Sequence, residues 1–252
     1  MLTHLAVVPT TPLILPGIPG TPPAPMADLA EASRRAVQGA ADADVVILLA
    51  GGGTSTVIDA PGTDLAGYGL TDLAPHVLTG APPDVVAALR SALGTGSRVA
   101  GDAGREGDAA PDLAVLARQL PAGAACVGIT VPADTDVATA EALADTLLNL
   151  GEIYRISVVA AGDLGAGHGT KPPRPAAAAA SDALQQTAFA ALDNGRLSDL
   201  VHLDAAVAAD SAARSVGALR VLAAVALRAR VGMVVRAAAA PLGVGYVIAQ
   251  GG

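Results

Sequence analysis

The sequence predicts an α/β fold: a single domain over residues 1–252, with a mixed, mostly parallel central sheet and helices on both faces. Three observations carry this. Short apolar runs of strand length alternate with Ala-rich segments of helical spacing. Hydrophobic residues make up 52% of the chain but aromatics only 2%, with no Trp and one Phe (Phe189), so the core must fill with small aliphatic side chains. That suits buried parallel strands under Ala-rich helices. No long polar or charged linker divides the 252 residues, which suffice for one large core.

The elements follow in order. His4 to Val8 is a first strand stopped by Pro9, and Pro9 to Gly17 is a Pro-punctuated loop at its C-terminal end. Pro25 to Ala41 has apolar residues at helical spacing. Asp44 to Ala50 is a second strand ending abruptly in Gly51-Gly52-Gly53. Residues 54–80, rich in Gly, Thr, Asp and Pro, read as an irregular excursion, and loops of that length in a compact domain are usually functional or disordered. Pro82-Pro83-Asp84 opens a helix to Leu93, and a further helix spans Pro111 to Leu120 with Asp112 in its first turn. Ala124 to Thr130 is a strand, Asp134 to Leu150 an amphipathic helix closed by Gly151, and Ile153 to Ala161 another strand. Prolines 172, 173 and 175 delay the next helix to Ala176–Leu192. Shorter helices are expected over 197–210, a longer one over 214–229, then closing strands Val231–Arg236 and Val244–Ala249.

Several function classes are disfavoured by composition. Net charge is -8, the 15 basic residues form no stripe, and only Lys171 is a lysine, which argues against nucleic acid. The longest apolar runs fall short of the ~20 residues of a membrane span. Met1-Leu2-Thr3-His4 lacks the basic start of a signal peptide. One cysteine, Cys126, excludes an intrachain disulfide and a thiolate zinc cluster. The expectation is a cytosolic protein that contacts neither membrane nor nucleic acid.

Candidate chemistry concentrates in Ala160-Ala161-Gly162-Asp163-Leu164-Gly165-Ala166-Gly167-His168-Gly169, where a buried strand ends. In open α/β sheets, ligands bind at such strand ends. His168 and Asp163 are the candidate catalytic residues, because imidazole titrates near neutral pH and a carboxylate can serve as its partner. The competing readings are a solvated loop histidine and an aspartate that caps a turn. Gly165, Gly167 and Gly169 do not form a dinucleotide loop, since Pro172, Pro173 and Pro175 deny them a helix N-terminus. Gly51-Gly52-Gly53 has no Lys-Ser/Thr behind it and reads as a tight strand exit, not a P-loop. No carboxylate pair stands out. Of the other histidines, His4 starts the first strand, His76 lies in the long excursion, and His202, between Val201 and Leu203, reads as structural.

Gly162-Asp163-Leu164 after a strand, Asp182 near the start of the next helix, and Gly243-Val244-Gly245-Tyr246 before the last strand form a pattern. It resembles the class III extradiol ring-cleavage dioxygenases, specifically the LigB-like catalytic subunit related to the Memo-like proteins. Val8-Pro9-Thr10-Thr11-Pro12-Leu13-Ile14-Leu15 is similar to that family's Pro-His-Pro-Pro-Leu-Leu segment. Catechol-cleaving members hold Fe(II) with two histidines and a glutamate. The resemblance puts those ligands at Thr10, at Gly51-Gly52-Gly53 and at Ala238–Ala240, and the acid–base histidine at Ala166. None of these residues supplies an imidazole or a carboxylate.

The resemblance therefore implies a LigB-like fold without its iron, repurposed to bind a small molecule or a partner, with no metal ligand and no cofactor. Its pocket would be lined by Thr10, Thr11, Gly52, Gly53 and Thr54 beside Asp163 and His168. The alternative is a working enzyme. One form is a divergent Fe(II) dioxygenase whose ligands are His76 and His168 with Asp59 or Asp163, and the other is a metal-free Asp163/His168 acid–base catalyst. A third expectation is a purely structural, oligomer-forming protein, and the family resemblance also implies a homodimer or higher homo-oligomer.

Overall fold

The computed structural model describes residues 1–18, 24–71, 73–94, 110–165, 175–204, 207, 213–241 and 244–252. Eight strands form one sheet: β1 (Leu2–Val8), β2 (Val45–Gly51), β3 (Thr56–Asp59), β4 (Thr79–Gly80), β5 (Ala125–Val131), β6 (Ile156–Ala161), β7 (Val234–Ala239) and β8 (Tyr246–Gly251). Their order is β3-β5-β2-β6-β1-β8-β7, with β4 also on β5. The inner four, β5, β2, β6 and β1, run parallel. β3, β8 and β7 add on antiparallel, so the sheet is mixed, as the strand–helix alternation predicts.

The inner strands are apolar throughout because both faces are covered, and alternate residues serve the two cores. Leu5, Val7, Ile47, Leu49, Val127, Ile129, Val158 and Ala160 face one side. There they pack on α2 (Pro83–Ala92), α4 (Val137–Leu150), α5 (Pro175–Asp193), α6 (Leu197–Val201) and α7 (Val216–Ala229). Ala6, Val8, Val46, Leu48, Val159 and Ala161 face the other side, against α1 (Ala24–Gln38) and α3 (Ala110–Gln119). α7 is buried around its whole circumference from Val216 to Ala226, which explains why its only charge in that stretch, Arg220, needs internal partners. Arg220 donates to the carbonyls of Thr135 and of Leu203. No described helix is long and apolar enough to cross a membrane.

Three local expectations need correction. The excursion at 54–80 is not wholly irregular, because Thr56–Asp59 and Thr79–Gly80 pair with β5. The strand expected from Ile153 starts at Ile156; Ile153 lies in a turn and is 71% exposed. His202 is not a core residue but an exposed one at the end of α6.

The topology has a switch point at β1 and β6. β1 and β6 are parallel neighbours, yet β1 leads to α1 on one face while β6 leads to α5 on the other. In open α/β sheets, ligands bind outside the strand ends at such a point.

Candidate functional site

Asp163 stands at that switch point, two residues beyond the end of β6. Backbone bonds fix it from both sides. Gly162 N–H donates to Val8 O (2.8 Å), Val247 N–H to Gly162 O (3.1 Å) and Leu164 N–H to Gly245 O (2.8 Å). Ser181 of α5 adds a hydroxyl bond to Leu164 O (2.9 Å). The close approach requires small residues: a Cβ on Gly165 would press on Val244, and one on Gly245 would strike Gln185.

The Asp163 side chain is 2% exposed. Its Oδ2 accepts the Thr10 backbone N–H at 2.9 Å and the Thr10 hydroxyl as well. Its Oδ1 is buried and has no hydrogen-bond partner among the described residues. Burial pushes the carboxyl up to about 7; the Thr10 bonds oppose that rise and the Asp112 charge adds to it.

Further residues that sequence reasoning missed join this end of the sheet. Tyr246, at the start of β8, bridges to Asp163 across the backbone. Its phenol is pushed up to about 12 by burial and by the Asp163 charge, with Thr11 beside its hydroxyl. Tyr68 donates to Asp112 Oδ1 at 3.0 Å, and desolvation followed by the Asp112 and Asp163 charges holds its proton on more tightly than usual. Arg214 acts on Tyr68 in the opposite sense. Asp112, read from sequence only as a helix-start acid, is buried, accepts the Tyr68 hydroxyl, and its charge adds to the rise at Asp163. The available signal was scarcity: the chain has three tyrosines, and two of them stand here.

The sequence-predicted residues divide. Thr10 and Thr11 lie with Asp163. Gly52, Gly53 and Thr54 turn towards β5 instead: Gly52 N–H donates to Val131 O (3.2 Å) and Thr54 O accepts the Thr130 hydroxyl (2.6 Å). Among the described residues, none of these three bonds Asp163. His168 lies outside the described residues.

The iron-ligand positions do not fit Fe(II). The Thr10 hydroxyl is spent on Asp163. A side chain at position 51 would overlap the Arg214 backbone, so that slot is filled by another segment of the chain. Ala239 does align with Tyr246, which aligns with Asp163, but alanine offers no donor. Of the alternative iron set, His168 lies outside the described residues, and His76 and Asp163 stand apart. His76 neighbours the residues before β5, since Gly123 N–H donates to Val77 O (2.8 Å), whereas Asp163 follows the C-terminal end of a strand parallel to β5's course. They stand at opposite ends of the parallel strands. Asp59, opposite Val127, lies towards the same end as His76. Among the described residues no three His, Cys, Asp or Glu side chains form a metal-binding group.

The fold is similar to that in the crystal structure of uncharacterized protein JW3007 from Escherichia coli K12, with 14% sequence identity and a TM-score of 0.58. The match covers 99% of this chain and 100% of that chain. At that identity the likeness is one of fold. The sequence matches no family model and no curated protein sequence.

Proposed function

We propose that this chain is a degenerate relative of the class III extradiol ring-cleavage dioxygenases, cytosolic and homo-oligomeric, whose strand-end site binds a small molecule without iron. One observation carries the reading: where the resemblance calls for an iron ligand, Thr10 is instead locked to Asp163, leaving a buried carboxylate oxygen unpartnered. A native protein rarely leaves such an atom unused, because its desolvation costs roughly 1–3 kcal/mol. Elemental analysis after anaerobic incubation with Fe(II) and desalting tests the proposal. The expected result is far less iron than protein; retained stoichiometric iron overturns it.

A second reading is favoured by the Asp163 titration alone. A carboxyl pushed up to about 7 suits a metal-free general base near neutral pH. Under that reading the rate of any turnover found follows a carboxyl titrating near 7 and is lost in Asp163→Asn.

A further inference from the structure

We draw no further inference here: the strongest candidate, the half-exposed outer edge of β7 at the end of the sheet, carries none, because nothing in the structure shows what covers it.

Discussion

Thr10 gives both its backbone N–H and its hydroxyl to one oxygen of Asp163, a residue 153 positions further along the chain. The clasp joins the exits of β1 and β6 and leaves the second oxygen for other work. Thr10→Val keeps the shape and removes the hydroxyl. It is expected to lower stability by roughly 1–3 kcal/mol in chemical denaturation and to move the Asp163 titration higher, because the lost bond favours the charged form. Thr10→Ser is expected to restore both. A Val variant as stable as the parent, with Asp163 titrating unchanged, would dismiss the clasp.

Acid and base act on this fold through two buried groups of opposite sense. Asp163 is pushed up from 3.8 to about 7, so the folded state holds its proton longer than the unfolded chain does. Its contribution is full below about 3.8 and is lost as the pH rises to about 7. His4 is buried in β1 with Nε2 on Ala36 O at 2.6 Å, and burial lowers it from 6.5. Its contribution is full above 6.5 and is lost as the pH falls below that value. Asp163→Asn should therefore gain stability relative to the parent between pH 4 and 7, by on the order of 4 kcal/mol. His4→Gln should gain relative to the parent as the pH falls below about 6. Denaturation curves across that range decide it, and differences that do not vary with pH would refute both.

At the end of β2, Gly51 is needed for contact and not for backbone conformation. Its missing side chain is where the Arg214 carbonyl sits. Gly51→Ala must push backbone against backbone, which no rotamer relieves. A loss of roughly 1–3 kcal/mol is expected, with chemical-shift changes concentrated at 213–215. A neutral substitution would mean that this segment does not close the β2 exit.

Arg220, 3% exposed in the middle of α7, ties three elements together through the Thr135 and Leu203 carbonyls. Its acidic neighbours Asp134 and Asp136 favour its charge against the burial that opposes it. Arg220→Met retains much of the volume and strands both carbonyls. An expected loss of roughly 2–4 kcal/mol, read by urea unfolding, follows from two unpaired acceptors. A Met variant matching the parent would reassign the arginine to simple space filling.

Much of the scaffold is legible locally. Val45–Leu49 and Val158–Ala161 are continuous apolar runs because helices cover both sheet faces, and Gly162 marks where pairing must give way to a close crossing. β3 is not legible: in Thr56–Asp59 only Val57 is buried, and its strand geometry comes from β5, about seventy residues away. The site divides on the same ground. Asp163 and Thr10 sit at strand ends that the pattern reveals. Asp112 looks like an ordinary helix-start acid until Tyr68, 44 residues earlier, is seen to bond it. Long-range pairing of that kind has no local periodicity to announce it.

Among the described residues β1 has only β6 and β8 as sheet partners. During synthesis β1 thus waits for Ile156–Ala161 before its first neighbour exists and for Tyr246–Gly251 before its second does. Until then Leu5, Val7 and Val8 are a bare apolar ribbon, the kind of exposed segment that chaperones shield. The switch point between β1 and β6 is consequently a late product of folding, and an isolated N-terminal half of this chain would contain none of it.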